Sequence, residues 1–74
     1  MTELKRVNVG VIGTGWVGGI RANACAHNAL VDELHIAEID PDRQKQIVAE
    51  TDPTSITDDW QTLIDDPSID LIVI

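Results

Sequence analysis

Five glycines occur in the 74-residue chain, and all of them lie between Gly10 and Gly19. Three form the run Gly13-Thr14-Gly15-Trp16-Val17-Gly18, which has G-x-G-x-x-G spacing. Each glycine has its own physical use. Gly13 lets the chain leave a strand in a tight turn, through backbone angles that a Cβ disfavours. Gly15 lacks the side chain that would hold a diphosphate away from the main chain, and Gly18 allows the next helix to lie close to the strand. No lysine or arginine falls inside the turn. The anion site it implies is therefore built from main-chain N–H groups and the positive end of a helix dipole. The spacing alone also describes a glycine-rich turn without a ligand.

The flanking segments separate these two readings. Val7 to Ile12 is an apolar run before the turn and predicts a strand; an alanine-rich segment after it predicts a helix from about Trp16 to Asn28. Ile20 and Ala24 are expected to face the sheet, with Ala22 and Cys25 as further candidates. Leu34 to Ile39 reads as a second strand, apolar on both faces as a covered parallel strand is. It contains Glu38, 20 residues past Gly18, where the dinucleotide fingerprint has its acid. Asp40-Pro41 starts a second helix to about Glu50, capped by Asp40 and turning Ile47 and Val48 inward. A short third strand is expected around Ser55-Ile56-Thr57. Thr57 or Asp58 then caps a third helix, whose buried face is Trp60, Leu63 and Ile64 at i, i+3, i+4. Asp66-Pro67 ends that helix, and Ile69 to Ile74 begins a fourth strand.

Strands alternating with helices predict an α/β, Rossmann-type parallel sheet with helices on both faces and strand order 3-2-1-4. The ligand crevice then lies between the C-terminal ends of strands one and four. A complete domain of this kind has two mononucleotide-binding halves. The chain is accordingly expected to be the N-terminal part of one, with the rest of that domain and a substrate domain lying elsewhere. The net charge of −8 argues against nucleic acid as a partner. No apolar stretch reaches the roughly 18 residues of a membrane span, and the N-terminus lacks a signal-peptide pattern. A single cysteine forms no internal disulfide, and no Cys/His cluster has metal spacing. A cytoplasmic protein without metal, membrane or nucleic-acid partners is the expectation.

Individual residues carry competing assignments. Glu38 either accepts hydrogen bonds from adenosine ribose hydroxyls, which favours NAD over NADP, or is a solvated acid ending a strand; the ribose role is preferred. Asp40 is read as a helix cap, and Arg43 as an exposed arginine rather than a 2′-phosphate ligand. Trp16 either leans over a bound cofactor or packs on neighbouring chain. Trp60 is assigned to the core, Cys25 to a small buried position, and His27 and His35 to structural roles. Asp58-Asp59 suits the start of the third helix, and Asp65-Asp66 a turn. No carboxylate dyad for catalysis is visible. The expected cofactor-binding residues are Gly13, Thr14, Gly15, Trp16, Val17, Gly18 and Glu38, with no catalytic residue.

Taken together, Val9-Gly10-Val11-Ile12-Gly13-Thr14-Gly15-Trp16-Val17-Gly18, Ala37-Glu38-Ile39-Asp40-Pro41-Asp42-Arg43 and the segment from Thr57 through Ile74 resemble the start of the glucose–fructose oxidoreductase / inositol dehydrogenase (Gfo/Idh/MocA) family. The resemblance implies an NAD(P)-dependent oxidoreductase acting on sugars, cyclitols or related hydroxyl and carbonyl compounds. It places the family's catalytic lysine and its acid/base group outside this sequence. Two positions depart from the common pattern: Arg21 stands where many relatives have histidine, and Glu38 where aspartate is usual. The remaining readings are a non-catalytic Rossmann module that senses NAD(H), or one that binds FAD or S-adenosylmethionine. Self-association into a homo-oligomer is compatible with each of them.

Overall fold

A computed structural model describes residues 6–74, apart from the side chains of Trp16 and Val17. The elements run β1 (Val7–Ile12), α1 (Trp16–Ala26), β2 (Val31–Ala37), α2 (Pro41–Thr51), β3 (Ser55–Thr57), α3 (Trp60–Ile64) and β4 (Leu71–Val73). The four strands form one parallel sheet in the order β3-β2-β1-β4. β1 is thus central, with Val11 opposite Ile36 on one side and Val73 on the other. The expected topology and strand order are those observed.

Alternation along the strands divides the sheet into two faces. Val9, Val11, Leu34 and Ile36 point to one side and form the core with Ala22 of α1 and Ile47 of α2. Gly10 points the other way, and a Cβ placed there would meet Leu63, Ile69 and Ile72. Helices therefore lie on both faces, α1 and α2 on one and α3 on the other. Polar side chains tie the strands at the N-terminal end of the sheet. Asn8 donates from its amide nitrogen to Ser68 O (2.9 Å) and accepts from Glu33 N (3.2 Å), while its main-chain N–H donates to Asp70 Oδ2 (2.8 Å).

The helix faces match the sequence expectation at Ala22, Ile47 and Leu63, which are buried, and at Cys25, which packs beside the core; elsewhere they differ, each for a physical reason. On α1 the buried residue is Ala22, with Cys25 and Ala26 packed beside it; Ile20 is 60% exposed and Ala24 is exposed too. The helix is rotated so that Gly18 meets the end of β1, and the inward stripe follows at i+4, i+7 and i+8 from that glycine. On α2 the stripe is Gln44, Ile47 and Thr51, so Val48, 100° further round, is 38% exposed. Its polar members are satisfied within the structure: Thr51 Oγ1 donates to Ile47 O (2.7 Å), and Gln44 Nε2 to Glu38 O (2.5 Å).

α3 is only five residues long, so it can turn one apolar side chain fully inward. That residue is Leu63; Trp60, assigned above to the core, is 51% exposed, and Ile64 is exposed as well. Its cap is Asp59, which accepts from Gln61 N (3.0 Å), rather than Thr57 or Asp58. Thr57 is occupied as the last residue of β3: it pairs with Ala37, and its carbonyl accepts from Glu38 N (2.8 Å). Asp40 caps α2 as expected, accepting from Asp42 N (2.9 Å) and Arg43 N (3.4 Å).

Substitutions at two adjacent positions of α2 separate the observed face from the expected one. Ile47→Ala opens a cavity against the sheet and is expected to cost about 2–5 kcal/mol. Val48→Ala, at the surface, is expected to stay within about 0.5 kcal/mol of the parent. Denaturant unfolding of the intact protein measures both, and comparable losses would contradict this orientation of the helix.

Candidate functional site

The glycine turn begins where β1 ends. Gly13 has φ +83°, in the left-handed region, while its N–H still donates to Ala37 O (2.8 Å) and so keeps β1 joined to β2. Five residues later the first turn of α1 comes back against this corner. A Cβ on Gly18 would stand 2.0 Å from the carbonyl oxygen of Gly13. Nothing larger than hydrogen fits there, so the helix start is held at the strand end by close approach.

Gly15 is different in kind. Its φ is −55°, which any residue can adopt, and among the described residues no atom beyond its own chain neighbours and helix lies within 4 Å of the place a Cβ would occupy. It is the N-cap of α1, yet among the described residues no side chain caps the helix, and no acid lies in its first turn. The N–H groups ahead of Gly19, whose own N–H reaches Gly15 O (2.7 Å), have no intrahelical acceptor. An uncapped eleven-residue helix therefore presents main-chain donors and its positive end across an open glycine. The side chains of Trp16 and Val17, both expected site residues, lie outside the described part of the structure.

Glu38 follows the last residue of β2 and is 8% exposed, so it is not a solvated acid. Its Oε1 accepts from both Thr14 N (2.8 Å) and Thr14 Oγ1 (2.5 Å), and its Oε2 from Asp40 N (3.0 Å). Thr14 itself is 1% exposed. Burial pushes the Glu38 carboxyl up. The bonds from the Thr14 hydroxyl and from the main chain at Asp40, Thr14 and Ile39 outweigh it, and hold the group below the ordinary carboxylate range. The glutamate thus lies at the glycine turn as expected, and touches it through Thr14. Thr14 was legible only as a position inside the motif. Nothing in the sequence marks its hydroxyl as the partner of an acid 24 residues away.

Glu38 also lines a cleft of about 210 Å³ together with Ile12, Gly13, Ala37, Ile39, Asp58 and Trp60. Apart from the two acids its walls are apolar, and Trp60 and Ile39 contribute exposed surface. The cleft sits at the C-terminal ends of β1 and β2, on the other side of β1 from the crevice expected between strands one and four. Its extension to Trp60 is invisible in a reading that buries that residue.

The other candidates have structural partners. Arg43 is half-buried between the helices near Thr14 and Gly19, and its Nη1 donates to Gln46 Oε1 (3.4 Å). His35 is buried, with Nδ1 2.6 Å from Ser55 Oγ and Nε2 2.8 Å from Glu33 Oε1. His27 Nδ1 lies 2.8 Å from Asn23 O at the end of α1. Cys25 packs beside the core. Asp66 accepts from Ser68 N (2.8 Å) and Ser68 Oγ (2.7 Å), as a turn residue does. Among the described residues no group of three or more side chains is arranged to hold a metal ion, and no helix is long and apolar enough to cross a membrane.

A central parallel strand, a glycine turn onto an uncapped helix, and an acid at the end of the neighbouring strand define part of a Rossmann dinucleotide-binding domain. Residues 7–74 match the model of the Gfo/Idh/MocA family, described as an oxidoreductase family with an NAD-binding Rossmann fold, and the chain belongs to that family. No curated protein and no solved structure gave a match.

Two measurements test the geometry of the turn. Gly18→Ala is expected to destabilise the intact protein by about 2 kcal/mol or more, since overpacking against backbone leaves nothing flexible to yield. Gly15→Ala is expected to fall within about 1 kcal/mol of the parent, because restricting the unfolded chain offsets the poorer N-cap. Thermal unfolding of the pair decides the matter, and equal losses would contradict the close approach.

The lowered carboxyl of Glu38 also has a pH consequence. A group that releases its proton more readily when folded stabilises the fold above the unfolded-state value, about pH 4.3. That contribution is lost as pH falls through the lower folded value. Glu38→Gln is therefore expected to flatten part of the acid limb of the stability–pH curve. An unchanged slope below about pH 4.3 would show that the carboxylate is not held as described.

Proposed function

We propose that this chain is the first part of the cofactor-binding domain of an NAD-dependent oxidoreductase, and that its own share of the work is to bind and orient the dinucleotide. The observation that carries the reading is the open, uncapped helix start over Gly15, within one residue of the Thr14–Glu38 contact. The pyrophosphate would lie over Gly15, facing the main-chain N–H groups of Gly15, Trp16, Val17 and Gly18, while Gly13 and Thr14, whose own N–H groups are taken by Ala37 O and Glu38 Oε1, shape the turn beneath it. Glu38 would accept from a ribose hydroxyl of the adenosine, and Ile39 and Trp60 would line the cleft for its base. A carboxylate at this point disfavours a 2′-phosphate, so NAD is preferred to NADP.

When bound, the nicotinamide exchanges hydride with a carbon bearing a hydroxyl or carbonyl group, of the sugar or cyclitol type that the family resemblance suggests. The proton that accompanies this exchange needs an acid–base group. The family resemblance places that group outside this sequence, and we adopt that placement. This division, with the protein supplying orientation and the cofactor the redox chemistry, is usual for nicotinamide enzymes.

Gly15→Val tests the assignment directly. A Cβ at this position meets no described atom beyond its own chain neighbours and helix, so the intact variant is expected to fold. NADH affinity is expected to fall at least tenfold, about 1.4 kcal/mol, as measured by fluorescence titration alongside thermal unfolding. A folded variant that binds NADH as tightly as the parent would show that the pyrophosphate does not lie over Gly15.

A further inference from the structure

A glutamate at the edge of a binding cleft is ordinarily a mobile charge, because its long side chain has several accessible rotamers. Glu38 is not mobile in this way. Thr14 supplies two donors to Oε1, its amide and its hydroxyl, and Asp40 supplies one to Oε2. The main chain of Glu38 is fastened as well, its N–H to Thr57 O (2.8 Å) and its carbonyl to Gln44 Nε2 (2.5 Å). An ionised carboxylate has about four acceptor positions, two on each oxygen. Thr14 fills both on Oε1 and Asp40 one on Oε2, with the Ile39 main chain also acting on the carboxylate, so Oε2 is the oxygen at which a ligand hydroxyl is received.

We infer that Thr14 is the positioning residue for cofactor selectivity: by pinning Glu38 through its hydroxyl, it turns a flexible acid into a fixed negative charge that reads one ribose hydroxyl and excludes a 2′-phosphate. The inference rests on the dinucleotide reading above. Its physical content is the difference between a charge that can swing aside and one that cannot. An unpinned glutamate facing a 2′-phosphate relieves the repulsion by rotating into solvent, at small expense. A pinned one must break charge-assisted bonds to a buried threonine first, and those are among the stronger hydrogen bonds in proteins. A ribose hydroxyl needs no such movement, because it approaches Oε2 and leaves both bonds from Thr14 to Oε1 in place.

The test measures NADH and NADPH dissociation constants for the intact parent, Thr14→Val and Thr14→Ser, each alone and in a Glu38→Gln background. Valine keeps the shape of threonine and removes the hydroxyl. The parent is expected to prefer NADH, and Thr14→Val to reduce that preference about tenfold, chiefly by tighter NADPH binding, the scale of losing one hydrogen bond to a charged group. Serine restores the hydroxyl and is expected to bring the preference back to within about threefold of the parent. In the Glu38→Gln background, Thr14→Val is expected to leave the preference unchanged, because the charge it positions is gone.

If Thr14→Val does not fold, Thr14→Ala replaces it with the same expectation. A parent that binds neither cofactor would overturn the dinucleotide reading and this inference with it. A parent that prefers NADH while Thr14→Val keeps the full preference would overturn the role of Thr14 alone. So would a shift in preference of equal size with and without the Glu38 carboxylate.

Discussion

The first turn of α1 touches the end of β1 so closely that the helix start and the strand end behave as one piece. The contact is between the α-carbon of Gly18 and the carbonyl of Gly13, where a single added carbon would lie 2.0 Å from oxygen. Much of the remaining geometry follows. It sets the rotation of α1, so that Ala22, Cys25 and Ala26 rather than Ile20 and Ala24 meet the sheet. Small residues on that stripe then let the helix stay close along its length, and α2 packs beside it through Ile47. It also aims the helix N-terminus across Gly15 into open space, and an anion site there costs no capping group because none is present.

The second constraint couples the two loops at the C-terminal edge of the sheet. Gly13 N bonds Ala37 O, and Thr14 bonds the carboxylate of Glu38. The turn after β1 and the turn after β2 are therefore one hydrogen-bonded unit, held by main-chain geometry on one side and by a buried charge on the other. Burial of that charge is tolerable because donors from Thr14, Asp40 and Ile39 converge on it, the condition under which a carboxylate stays ionised away from bulk water. Residues proposed to hold phosphate and ribose are consequently parts of the same rigid corner. Such preorganisation is what allows binding energy to be used for orienting a reactive group instead of ordering the site.

The charge balance makes this local arrangement the more necessary. A chain with five basic and thirteen acidic side chains, net −8, does not attract a phosphorylated cofactor through its overall field. Attraction must come from oriented N–H groups at short range, where helix-end partial charges act and the solvent-screened acids do not. The absence of an acid from the first turn of α1 fits that requirement. By contrast α2 and α3 start with Asp40 and Asp59 as caps, and their N-termini are closed to a ligand.

The sequence by itself determined the element order, the parallel 3-2-1-4 sheet and the glycine turn. These are written in local terms: apolar runs of strand length, Asp40-Pro41 at a helix start, and glycines at fixed spacing between strand and helix. Membership of the oxidoreductase family was legible for the same reason, since its motifs are contiguous. Tertiary structure alone decided which side of each helix is buried, because rotation of a short helix depends on its closest contact. Gly18 turned α1, Gln44 and Thr51 joined the inward stripe of α2 by satisfying their own polar atoms, and five-residue α3 buried Leu63 while leaving Trp60 at the cleft. It also decided that Glu38 is bonded to Thr14. A hydrogen bond between a loop threonine and an acid 24 residues later has no periodic signature. It exists only because parallel pairing of β1 with β2 brings the two strand ends side by side.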